Sequence, residues 1–122
     1  LSMANQSMAV SDILKEWNEM KTRLENLFRD RDQKNAKIIM EKGIALFIQF
    51  LCVTNERAAT PRQAIPYQQF TIQPVNLEER LEFIISRPHL YHSYRQLAEL
   101  MVELEKLFVK KNIRKKSSGQ KG

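Results

Sequence analysis

Ile44-Ala45-Leu46-Phe47-Ile48-Gln49-Phe50-Leu51-Cys52-Val53 is the stretch on which the fold turns. It is apolar on nearly every side of a helix, broken only by Gln49. A helix without a polar face has to be buried on every face. As a membrane span it is too short, because a bilayer needs roughly 20 such residues. It therefore reads as the central helix of a soluble bundle.

Upstream the pattern turns amphipathic, with Ile38, Ile39 and Lys42, and Asn35 is the expected cap. Helix two is thus expected over about 36–54, closed by Thr54-Asn55. Gly43 inside it sacrifices about 1 kcal/mol of helix propensity relative to Ala, which marks a close helix crossing. Before it, Ile13, Trp17, Met20, Leu24, Leu27 and Phe28 recur at spacings of three and four. Ser11-Asp12 offers a cap, so helix one is expected over about 12–30. Trp17 lies on that apolar stripe and reads as core, not as a ligand platform.

On the other side, residues 56–75 carry Pro61, Pro66 and Pro74 and no sustained period. A segment of this length is expected to be a packed crossover, with Ile65, Tyr67, Phe70 and Ile72 laid across the bundle. Asn76-Leu77-Glu78-Glu79 then resembles a capping box, Asn76 capping and Glu79 reaching back. Helix three, about 77–87, must end before Pro88. In helix four, about 90–111, Leu90, Tyr94, Leu97, Met101, Leu104 and Phe108 alternate spacings of four and three. The expected fold is all-α: a four-helix, bundle-like single domain over 11–110. A flexible N-terminus (1–10) and a flexible, disordered basic C-terminal tail (111–122) flank it.

Charge is unevenly placed. The chain has 20 Lys and Arg against 14 Asp and Glu, and the stretch from Lys110 to Gly122 carries six bases and no acid. The body is therefore neutral and the basic field is local. Lys110, Lys111, Arg114, Lys115 and Lys116 are candidate contacts for a polyanion such as nucleic acid, through weak, salt-sensitive pairing with phosphates. The plainer reading is a solubilising end. The single cysteine, Cys52, forms no internal disulfide, and Leu1–Gln6 lacks the charged and apolar regions of a signal peptide, so a cytoplasmic protein is expected.

The densest cluster of chemically capable side chains is Arg87-Pro88-His89-Leu90-Tyr91-His92-Ser93-Tyr94-Arg95. It has two readings. One is a polar interaction corner of Arg87, Tyr91, His92, Tyr94 and Arg95 that receives an anionic or protein partner. The other is that the tyrosines seal a helix–helix turn while the histidines face water. His89 and His92 stand three apart, yet neither follows a glutamate by three, as di-iron bundles require, so no metal site and no cofactor are expected. Three glycines, Gly43, Gly119 and Gly122, leave no room for a P-loop, a dinucleotide loop or a nucleophile elbow. No catalytic residue is assigned.

Two runs carry a family likeness: Asn76-Leu77-Glu78-Glu79-Arg80-Leu81, and Arg87-Pro88-His89-Leu90-Tyr91-His92-Ser93-Tyr94-Arg95-Gln96-Leu97. Across roughly residues 11–110 the chain resembles the YpoC-like family of small helical proteins from Bacillus-type bacteria. The resemblance implies a bacterial cytosolic helical protein. It transfers no functional residues, because the family has no established activity. The expected function is a non-catalytic protein-interaction or adaptor module using the crossover and the corner. The alternative is a nucleic-acid-associated accessory protein using the basic tail.

Overall fold

A computed structural model describes residues 2–121, with side chains described for 10–61 and 63–114. Four helices follow in order: α1 (Ser2–Arg29), α2 (Gln33–Thr54), α3 (Leu77–Ser86) and α4 (Tyr91–Lys121). Two single 3₁₀ turns, Arg62–Ala64 and Tyr67–Gln69, lie in the crossover. Among the described residues there is no strand. The all-α, four-helix, single-domain architecture is therefore the one expected.

α2 sits at the centre, against α1, α3 and α4. Its Phe47, Phe50, Met40, Ile44 and Leu51 are fully buried and meet Ile13 and Leu24 of α1, Leu77, Leu81 and Ile84 of α3, and Leu97 and Leu100 of α4 in one core. Gly43 faces side chains of both α1 and α4. A Cβ built there would stand 3.0 Å from Trp17 Cζ3 and 3.2 Å from Leu97 Cδ2. The indole of α1 and a leucine of α4 thus occupy the volume that any other residue of α2 would need. Trp17, 3% exposed, is core as expected.

The expectation that α2 is buried on every face needs one correction. Ala45 and Gln49 are exposed, and Glu41 is half-buried. The crossover lies beside this strip without covering it, leaving an open groove of about 500 Å³ lined by Glu41, Ala45, Ile48, Gln49, Ala59, Thr60 and Pro61.

Helix ends differ from expectation for identifiable reasons. α2 is capped by Asp32, not Asn35: Asp32 Oδ1 accepts from the Asn35 amide at 3.2 Å and Oδ2 from Asn35 Nδ2 at 2.7 Å. These bonds to Asn35 hold the Asp32 carboxyl below its usual pKa. Arg31 and Glu56 adopt left-handed backbone, φ 60° and 54°. The following amides, Asp32 and Arg57, reach back to Leu27 O and Cys52 O at 2.8 and 2.9 Å. α1 and α2 therefore both close in the Schellman pattern, with a charged residue where glycine is usual. Asn76 starts α3, but in left-handed backbone and without a side-chain capping bond, so the expected capping box does not form. Ser11 and Asp12 are exposed positions inside α1, which begins at Ser2, and are not its cap. α4 runs to Lys121 instead of ending near 111. The flexibility expected of 1–10 and 111–122 falls largely outside the described side chains.

The crossover is tied down by side chains that replace a ladder. Asn55 donates from Nδ2 to Leu51 O and Ile72 O, and its Oδ1 accepts from the Ile72 amide, each at 2.8 Å. Gln73 Nε2 donates to Tyr67 O and Phe70 O at 2.8 and 2.7 Å. Phe70 and Pro74 are buried, and the Tyr67 hydroxyl donates to Glu82 Oε2 on α3 at 2.5 Å. Burial and that carboxylate raise the Tyr67 phenol far above its ordinary value.

Gly43→Ala gains about 1 kcal/mol of helix propensity, yet it presses a methyl against two buried side chains, Trp17 and Leu97, and such overpacking costs about 1–3 kcal/mol. We expect a net loss of about 1 kcal/mol, read as a lower urea midpoint at unchanged slope. Gly43→Val should lose more, and a Gly43→Ala variant more stable than the parent would show that the three helices can separate without cost.

Candidate functional site

The interaction corner expected at Arg87–Arg95 does not form one surface, because the first turn of α4 sends its residues in different directions. Toward α3, Arg87 stacks its guanidinium 4.9 Å from the centre of the Phe83 ring, and His92 meets the same ring edge-on at 5.5 Å. Phe83 is thus held between a cation and an imidazole, and Arg87 and His92 are both exposed. Toward α1, Tyr91 packs edge-on to Phe28 at 5.5 Å and lies 5.8 Å from Tyr94.

Tyr94 belongs to the core. It is 3% exposed, lies 6.4 Å from Trp17 and 5.7 Å from Phe28, and donates its hydroxyl to Glu25 Oε2 at 2.8 Å. Burial, then the Glu25 carboxylate, push its phenol well above the ordinary tyrosine value. Its inclusion among contact residues is therefore corrected: the heptad that carries it, Leu90 to Phe108, points inward. Ser93, part of the same polar-looking run, is also wholly buried. The corner thus keeps Tyr91 and Arg95 on the outward side of α4, and Arg87 and His92 at the α3 junction. The Arg95 guanidinium is held more basic by the adjacent Tyr91 hydroxyl.

The strongest polar junction is one that sequence reasoning passed over. Arg80 of α3 forms a two-pronged pair with Glu103 of α4, Nη1–Oε1 at 2.9 Å and Nη2–Oε2 at 2.7 Å. It also donates to Val75 O at 3.0 Å and to Gln96 Oε1 at 3.4 Å, with Glu99 at 3.9 Å. Glu103 raises the Arg80 pKa, and Arg80 lowers that of Glu103. The pairing joins positions 23 apart in the chain, so no local spacing announces it.

The basic segment is likewise divided. Lys111 turns back on the body, pairing with Glu56 at 2.8 Å and donating to Thr54 O at 2.5 Å, where it satisfies a carbonyl at the end of α2. Lys110 and Arg114 are exposed, while the side chains of Lys115 and Lys116 lie outside the described residues. Among the described residues no three of His, Cys, Asp and Glu converge as metal ligands, and Cys52 is buried in α2. No helix among them is long and apolar enough to cross a membrane.

α4 also leaves apolar side chains outside. Tyr91 is 51% exposed, Val102 49%, Val109 48% and Ile113 60%. At 100° per residue, 91, 95, 98, 102, 106, 109 and 113 fall within a sector of about 80°, opposite the core strip of Leu97, Leu100 and Leu104. A solvent-facing helix sector normally carries charge and good helix formers. Two valines and an isoleucine there supply neither. Their spacing is visible in the sequence, where the inward heptad masks it.

Comparison with known proteins gives a coherent result. The family model described as "YpoC-like protein" matches residues 7–116. The chain is also 32% identical over 99 residues to "Uncharacterized protein YpoC" of Bacillus subtilis (strain 168), covering 77% of this chain and 58% of that relative. It therefore spans little more than half the length of that protein. No solved structure matches.

The Arg80–Glu103 pair makes stability depend on pH in a defined sense. Because Arg80 depresses the pKa of Glu103 in the folded state, the pair stabilises fully above the ordinary glutamate value of 4.5 and loses its contribution as pH falls through the lower folded value. Arg80→Met should cost about 1 kcal/mol at pH 7, and the difference between variant and parent should be smaller at pH 3, the bonds from Arg80 to Val75 O and Gln96 Oε1 keeping a part that does not titrate. Urea titrations at both pH values measure it.

Proposed function

The chain belongs to the YpoC-like protein family, and we propose that its helical domain is a non-catalytic interaction module that docks a partner helix on the outward face of α4. One observation carries this reading: the sector of Tyr91, Val102, Val109 and Ile113, half-exposed along one side of a helix whose opposite side fills the core. Such a stripe, about 33 Å long at 1.5 Å per residue, matches the way amphipathic helices pair through residues at spacings of three, four and seven. Arg95, Lys106 and Glu99 interrupt and border it, giving the polar edge of an interface that opens and closes in water. Tyr91, braced by Phe28 and Tyr94, is the aromatic anchor at its N-terminal end. The crossover is the weaker candidate surface. Its Ile65, Tyr67 and Phe70 pack on the core, Tyr67 is committed to Glu82, and Val75 alone of its large apolar side chains is strongly exposed.

A second reading keeps the basic end as a polyanion contact. The acid-free run from Lys110 onward supports it, with Lys110 and Arg114 exposed and Lys111 withdrawn into its bond with Thr54.

Replacing Val102 and Val109 together by Glu leaves the core untouched and charges the stripe. Affinity capture from native lysate with this variant should lose bound protein at least tenfold relative to the parent, while Thr22→Glu on the exposed side of α1 retains it. Equal capture by all three forms refutes α4 docking. For the second reading, changing Lys110, Arg114, Lys115 and Lys116 to Gln should abolish any DNA or RNA binding that weakens between 50 and 200 mM salt. Binding that ignores salt or survives the change is not carried by the basic end.

A further inference from the structure

We infer that the partner helix is α4 of a second copy, laid antiparallel across the outward face with the two-fold axis near Val102. This inference rests on the docking reading above and names the occupant. The stripe is centred for it: Tyr91 and Ile113 lie equally far from Val102, and Val102 sits halfway along the exposed sector. An antiparallel pairing about that residue places Val102 against Val102, Arg95 against Val109, and Tyr91 against Ile113. In the same register Glu99, on the edge of the sector, and Lys106 of the second copy lie on the same flank within one residue of the same level, as do Lys106 and Glu99 of the second copy, so one two-fold axis makes two opposite-charge pairs.

Orientation follows from charge. From Lys110 on, the sequence carries bases and no acid. Parallel helices would lay these basic ends side by side, whereas antiparallel helices hold them at opposite ends, beyond the roughly 10 Å over which such charges interact at 0.1 M salt. Ala98, small and in the same sector, lets the helices approach closely. A single helix pair buries less than a permanent dimer interface requires, so the association is expected to be reversible and concentration-dependent.

Sedimentation velocity of the full chain over a wide concentration range tests this directly. The parent should show a monomer–dimer equilibrium, and Val102→Glu should weaken it at least tenfold with unchanged helical circular dichroism. E99K and K106E singly should each weaken dimerisation severalfold, and the double variant E99K/K106E should restore it. Val102→Cys should crosslink through itself under mild oxidation, while Val109→Cys should not, since antiparallel geometry separates the two copies of residue 109.

A parent that stays monomeric at every concentration overturns the inference, as does a dimer insensitive to Val102→Glu. Singles and double that behave alike, or efficient Val109→Cys crosslinking, overturn the antiparallel register. Failure of the docking reading itself is separate. A monomeric parent that still loses captured protein on V102E/V109E substitution leaves α4 as a docking face for a different chain, whereas a monomer indifferent to that change leaves neither.

Discussion

Gly43 is the point on which the arrangement of helices depends. Where α2 offers no side chain, Trp17 of α1 enters from one side and Leu97 of α4 from another, both within 3.2 Å of where a Cβ would be. The side chains of α1 and α4 fill the space that α2 leaves empty there. The gain is contact area. The indole in turn lies 6.4 Å from the Tyr94 ring, which lies 5.7 Å from that of Phe28, so α1 and α4 share an aromatic seam beside the central helix. Trp17 has its place at the head of that seam because Gly43 leaves the space.

The same packing decides which residues are available for function. Because the seam needs Tyr94 inside, with its hydroxyl satisfied by Glu25, the first turn of α4 is rotated so that Tyr91 and Arg95 face out and Ser93 faces in. What looks in one dimension like a single polar cluster is divided by a rotation of 100° per residue into core, α3 junction and outward face. Arg87 and His92 spend their capacity on Phe83. Lys111 is subject to the same logic at the other end, held by a carbonyl and a carboxylate that the closing turn of α2 presents.

α4 thus carries two apolar patterns. The inward one, Tyr94 to Phe108, fills the bundle, and the outward one, Tyr91 to Ile113, stays about half-exposed, with Tyr91 braced on Phe28. A helix with apolar residues on opposite sides is suited to lie between two bodies. Arg80 and Glu103 fix it on the inner side through a two-pronged pair that holds α3 and α4 together without using the outer face.

Sequence by itself determined the number and order of helices, the central position of the second, and the core role of Trp17 and Gly43. These follow from periodicity and from an apolar run too long to be solvated and too short to span a bilayer, and both are local properties of the chain. The family likeness was also legible, in two short runs around Asn76 and Arg87. Tertiary structure alone decided that Asp32, not Asn35, caps α2, and that Arg31 and Glu56 close helices in left-handed backbone where no glycine signals it. It alone paired Arg80 with Glu103 and folded Lys111 back onto Thr54, partners 23 and 57 residues apart. It also removed Tyr94 from the surface. The reason is the same in each case: a side chain's chemistry is written in the sequence, but whether it meets water, a carboxylate or another ring depends on the rotation of its helix against neighbours that the chain reaches only after folding.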